Sequence, residues 1–179
     1  MKLALARGIM LIVFLGMPLH SVPAQEGTKT CISLDPQSAL RLIPDKVPLE
    51  TEAIPVDTRN LAAIQFPDKT RLAIAPLITS GYATDMRSKY HFILVSETRV
   101  YLGRTCLPAG VVGLGLKPEE NREALTRTLV ARDFTGNEIE HVTLQLDTSR
   151  PPTVVSLTPK GEKEFELRFG RYVVQGRQR

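Results

Sequence analysis

YHFILVSETRVYLGRTCLPAGVVGLGL, residues 90–116, decides the fold of this chain. Tyr90 to Val95 are aromatic and branched apolar side chains with one histidine among them. Such a run is too short for a typical helix and rich in strand formers, so it reads as a strand buried on at least one face. Thr98 to Leu102 reads as a second strand, ended by Gly103. Leu107-Pro108-Ala109-Gly110 supplies a turn, because proline fixes φ at about −65° and glycine accepts positive φ. Val111, Val112, Leu114 and Leu116 leave that turn as a third strand. The alternating Gly113 and Gly115 weaken it and mark either a bulge or a close backbone approach. The set is expected at the centre of a sheet.

The rest of the chain repeats the pattern. On the N-terminal side, residues 61–66 (LAAIQF) and 71–79 (RLAIAPLIT) flank Pro67-Asp68-Lys69-Thr70 and read as a hairpin. Pro76 marks the second of these as an edge strand or a bent one. Ser80-Gly81 opens a polar loop to Lys89, and Lys117 to Arg122 forms a charged one. Residues 124–133 and 138–147 flank the turn cluster Asp133-Phe134-Thr135-Gly136-Asn137. Leucine and alanine in the first run allow a helix, but the clean alternation of Val142, Leu144 and Leu146 in the second favours a hairpin. Arg150-Pro151-Pro152 breaks the chain. Residues 153–159 and 163–174 form the last hairpin, with Phe165, Leu167 and Phe169 on one side and Glu164, Glu166 and Arg168 on the other. Hairpin-linked strands at this spacing predict a mainly β protein, a single antiparallel β-sandwich or open barrel. One short helix at most is expected, near 36–42, where Asp35 caps and Pro36 opens the first turn.

The segment from Val100 to Leu114 also resembles a family of small secreted bacterial β-domains of unknown function. Those carry an L-P-A-G-x-Y-x-L hairpin after a V-x-I-G strand. The match here lies within residues 98–116 and consists of Val100, Leu102, Gly103, Leu107, Pro108, Ala109, Gly110 and Leu114. Val112 stands where the family has tyrosine. The resemblance implies a fold class and carries no functional residue across.

The N-terminus places the protein. Lys2 and Arg7 precede an apolar run from Gly8 to Leu19, and Val22-Pro23-Ala24 is a small-residue cleavage site. Residues 1–24 therefore read as a secretory signal peptide. The alternative is a retained anchor, but the run is shorter than the ~20 residues a span needs. Residues 25–59 read as an extended, proline-rich segment and residues 60–176 as the β domain. From Pro44 to Pro55 the prolines argue for extended chain outside the main sheet, and Val47, Leu49 and Ile54 favour wrapping over dangling. Losing Lys2 and Arg7 leaves 21 basic against 19 acidic side chains, too even a balance for a nucleic-acid partner. The basic tail, Arg168, Arg171, Arg177 and Arg179, reads as a solvated face and a frayed end.

Export also bears on Cys31 and Cys106. An even count in an oxidising compartment favours a disulfide between them over free thiols. It closes a loop of about 75 residues, worth roughly 4 kcal/mol on the loop-entropy model.

Catalytic signatures are sparse. There is no H-x-H, H-E-x-x-H or C-x-x-C to hold zinc, and no G-x-S-x-G or phosphate-cradling glycine loop before a helix. Glu162, Glu164 and Glu166 alternate beside Lys163 and Arg168, as a solvated strand face does. His91 and His141 become a ligand pair only if their strands are neighbours. Among the tyrosines at 82, 90, 101 and 172, Tyr82 sits in a loop with Gly81 and Asp85 and is the foremost ligand-contact candidate. The candidate contacts are thus Tyr82, Asp85, His91 and His141, with no cofactor, no metal and no catalytic residue expected. The chain reads as an exported, periplasmic or extracellular, non-enzymatic module that binds a ligand or associates with the envelope. The alternative is a glycan or peptide hydrolase whose site is assembled from distant residues. A protein partner pairing with an edge strand, 71–79 or 163–174, is a third expectation.

Overall fold

The computed structural model describes residues 30–118 and 125–179. The signal-peptide reading lies outside the described residues. The fold is mainly β, as the alternation predicts. Four strands lead: β1 (Ile32–Ser33), β2 (Lys46–Leu49), β3 (Glu52–Pro55) and β4 (Ala62–Gln65). The centre holds β5 (Arg71–Pro76), β6 (Phe92–Ser96), β7 (Val100–Leu102), β8 (Thr105–Leu107) and β9 (Gly110–Leu116). The C-terminal half adds β10 (Thr126–Arg132), β11 (Glu138–Leu146), β12 (Thr153–Pro159), β13 (Glu164–Gly170) and β14 (Tyr172–Gln178). One antiparallel sheet runs β1-β4-β5-β6-β9-β10-β11-β14-β13-β12, with the β7–β8 hairpin attached to β14. Two strands of the quoted stretch sit at its centre, β6 pairing with β9 from Phe92–Leu114 to Ser96–Gly110, while β7 and β8 between them leave that path.

The sheet curls. β12, its last strand, lies against β4 and β5, and β1 lies beside β12. No ladder joins β12 to these strands; the backbone bond between the two ends runs from the Cys31 N–H to the Gly161 carbonyl at 3.0 Å. The result is an open barrel. Its interior is the inward half of each alternating strand: Ile64, Leu72, Leu94, Leu114, Leu144 and Phe165 are among its fully or almost fully buried members.

A second layer covers the outer face of β4, β5, β6 and β9. It consists of α1 (Pro36–Leu40), the β2–β3 hairpin and α2 (Thr84–Lys89). Outward-facing Ala63, Ala73 and Ala75 let this layer approach closely, and Val47, Leu49, Ile54, Met86 and Tyr90 pack into the space. Gly113 has the same role: the Tyr90 ring lies 2.6 Å from where a Cβ would stand. The close backbone approach expected of this glycine pair is what the structure contains. Asp35 caps α1 by accepting from the Gln37 and Ser38 N–H groups at 3.0 and 3.1 Å.

Several expectations are corrected. A second helix, α2, replaces most of the polar loop before Lys89. Its sequence has no side-chain cap; burial of Met86 and the Asp85–Lys89 pair at 2.6 Å hold it instead. The run 163–174 is two strands, because Gly170 takes φ +60° and turns the chain. Strands 71–79 and 163–174 are not edges: β5 lies between β4 and β6, and β13 and β14 are both internal. Pro76 closes β5, where its missing N–H interrupts no ladder. The ends of the sheet's path are β12 and the very short β1, and β8, which pairs with β7 alone, is a further edge. The C-terminus is not frayed, since the Gln178 N–H donates to the Lys163 carbonyl at 2.8 Å.

The Cys31–Cys106 disulfide is also corrected: both are free thiols. Cys31 enters β1, which pairs with β4, while Cys106 lies on β8, which pairs with β7 alone. No ladder brings the two together. Cys31 is buried, and burial pushes its thiol up to about 11.

The predicted solvated face of β13 is exposed at Glu164 but buried at Glu166 and Arg168. Glu166 is 5% and Arg168 2% exposed. The connection from β11 to β12 has to pass β14 and β13, and it does so over their outer face. Asp147 in that connection pairs with Arg168, and Arg150 with Glu166 at 2.9 Å. The charges that looked like a surface stripe clamp the crossover.

Candidate functional site

Strand ends from six parts of the chain converge at one mouth of the barrel. Phe92 begins β6, Leu116 ends β9, Arg127 lies at the start of β10 and Leu146 ends β11. Phe169 and Tyr172 stand on either side of the Gly170-Arg171 turn, and Pro152 precedes β12. Together with Gly170 and Arg171 they line a cavity of about 370 Å³. Its floor is aromatic: the Phe92 and Phe169 rings lie 4.7 Å apart at 55°, a tilted contact of the favoured kind. Its rim is cationic. Arg127 donates from Nε to the Lys117 carbonyl at 3.0 Å, and its guanidinium carbon lies 5.8 Å from the centre of the Tyr172 ring.

His91 stands beside this mouth. Its Nδ1 accepts the Leu116 N–H at 3.1 Å, which leaves the ring proton on Nε2. Burial, and then the positive charge of Arg127, hold its pKa below the ordinary value. The neutral ring is thus the native form. Its protonation is more favourable in the unfolded chain, so stability is full above pH ~6.5 and falls as pH drops from there through the lowered native value. The slope in that window is at most about 1.4 kcal/mol per pH unit. His91→Asn keeps an acceptor and removes the titration, so urea midpoints of that variant should lose this part of the slope. An unchanged slope would assign the acid sensitivity to other groups.

The other candidates lie elsewhere. Tyr82 donates from its hydroxyl to the Ala53 carbonyl at 2.9 Å and ties the second layer together. Asp85 pairs with Lys89 on α2 and borders a shallow cleft shared with Lys117 and Arg132. His141 is exposed on β11, with Nε2 2.8 Å from Glu138. The strand register places His91, Gly115, Val130 and His141 in one row across four strands. Three strand spacings separate the histidines, about 15 Å, so they form no ligand pair. Among the described residues, no group of three or more His, Cys, Asp or Glu is placed to hold a metal.

Sequence reasoning missed the mouth itself, although Tyr172 was among the candidate ring platforms. The available signal was Phe169-Gly-Arg-Tyr172, two rings flanking a tight turn with a cation in it. The partners Phe92, Leu116, Arg127 and Leu146 meet it only through the sheet order.

No family model, curated sequence or solved structure matches this chain.

Proposed function

We propose that this protein is an exported, non-enzymatic binding module whose ligand occupies the barrel mouth. The observation that carries the reading is the convergence of apolar side chains from five strands on a cavity of about 370 Å³ with arginine at its rim. Ligand sites are concave, mostly apolar, furnished with a few polar groups, and common in the mouths of β-barrels. The N-terminal sequence, read as a signal peptide, supports export.

Anilinonaphthalene sulfonate, whose fluorescence reports transfer to an apolar site, tests the reading on the natively folded chain. Saturable binding at one site per chain is expected. Leu116→Trp, which places a larger ring at the mouth, should abolish it while leaving the urea midpoint nearly unchanged. Binding that survives in a folded Leu116→Trp protein would place the dye elsewhere and refute the proposal.

A further inference from the structure

We infer that a second ligand site, separate from the mouth, lies where the sheet forks between β11 and the β7–β8 hairpin, and that it takes a small hydroxylated carboxylate. The fork follows from the strand pairing. β13 occupies one edge of β14 from Tyr172 to Arg177. Two strands share the other edge: β11 at Tyr172 and Val173, and β7 from Gly176 to Gln178. The ladder between β11 and β14 therefore covers Gln145 and Leu146 alone. β8, which pairs only with β7, lies beside the part of β11 that has left β14. The Thr105 hydroxyl spans the gap, donating to the His141 carbonyl at 2.9 Å.

Strands that diverge in this way leave a recess, here a cavity of about 280 Å³, or roughly nine water volumes at ~30 Å³ each. Leu102, 1% exposed, gives it an apolar patch, and Arg104, Thr105, His141, Thr143 and Gln145 make the rest of its wall polar. Among the described residues, none hydrogen-bonds or pairs with the side chains of Arg104, Thr143 or Gln145, so their polar groups are open to a ligand. No carboxylate lines the cavity. The one that touches His141, Glu138, is already engaged by Arg132 at 2.5 Å. A guanidinium matches a carboxylate through two parallel N–H donors. Threonine hydroxyls and the glutamine amide both donate and accept, as the hydroxyls of a ligand require. A cationic ligand would meet Arg104 with no carboxylate in reach, and a plain aliphatic acid would leave Thr143 and Gln145 unused.

An open-chain hydroxy acid and a cyclic sugar acid share this chemistry, and the test separates them. Gluconate, glucuronate, glucose and acetate are titrated separately into the folded full chain by calorimetry. Gluconate or glucuronate should bind at one site per chain and more tightly than glucose or acetate, and the tighter of the two identifies the ligand as open-chain or cyclic. Arg104→Gln should weaken the acid about fivefold, the upper end for a solvent-exposed ion pair, and leave glucose unchanged. Thr143→Phe, at an exposed position, should remove the binding while the urea midpoint stays near that of the parent. Leu116→Trp, at the mouth, should leave the binding intact, so the two sites stand or fall separately. The inference is overturned if neither hydroxy acid binds, if glucose or acetate matches them, if Arg104→Gln changes nothing, if a folded Thr143→Phe protein still binds, or if Leu116→Trp abolishes the binding.

Discussion

Replacing Arg168 by alanine is expected to cost about 3 to 5 kcal/mol, the range for breaking a buried ion pair from one side. Arg168 is 2% exposed and pairs with Asp147 in the crossover, with Glu166 a further 3.7 Å away. Its loss leaves those carboxylates with less compensation under a loop that still covers them. The surroundings of both favour the ionised form. Asp147 is held well below the usual carboxylate range by the Ser149 hydroxyl first and by Arg168 second. For Glu166, burial opposes ionisation, yet the Gln175 hydrogen bond and the charges of Lys160 and Arg150 bring it below the usual value. One feature pulls the figure toward the lower end: Nη1 of Arg168 is buried without a hydrogen-bond partner, so the native pair already carries some desolvation cost. Chemical denaturation measures the loss. A change below about 1 kcal/mol, the level of a surface pair, would show that the crossover is not clamped by this charge.

Gly115→Ala is expected to cost about 3 kcal/mol, the upper end for inserting a methyl group into a packed site. A Cβ there would overlap the carbonyl of Lys89 and crowd the Arg132 guanidinium. The carbonyl cannot turn away cheaply, because it accepts from Arg132 Nη1 at 3.2 Å at the end of α2. Gly113→Ala meets side chains rather than backbone, the Tyr90 ring edge closely and Leu49 at ordinary contact, and should cost less. Thermal or urea unfolding of the two variants provides the comparison. Equal costs, or a Gly115→Ala protein as stable as the parent, would mean that α2 does not need to sit so close to β9.

The fold class was legible because one periodicity dominates. Val142, Leu144 and Leu146, and Phe165, Leu167 and Phe169, each place every second side chain in one core, which only a strand permits. The second layer was not legible. It rests on Ala63, Ala73 and Ala75, whose small size announces a close neighbour only once the neighbour is known, and on α2, which has no side-chain cap. The buried charges misled for a related reason. Glu166 and Arg168 alternate with the core residues as solvent-facing groups do, and what covers them is a loop from another strand. The mouth was the least legible part, since its residues come from strand ends far apart in sequence and share no spacing. Only the Phe169–Tyr172 turn carried a local trace.

Among the described residues, the backbone hydrogen bond from Cys31 to Gly161 is what latches the barrel wall along the line between β12 and β1, where neighbouring strands of the sheet are otherwise joined by ladders. Parting β12 from β1, β4 and β5 breaks side-chain packing and that latch, whereas parting β12 from β13 breaks a ladder running from Thr153 to Pro159. Pro152 lies at the root of β12 and also borders the mouth. The seam beside β12 is therefore the line along which this wall parts with the fewest backbone hydrogen bonds broken.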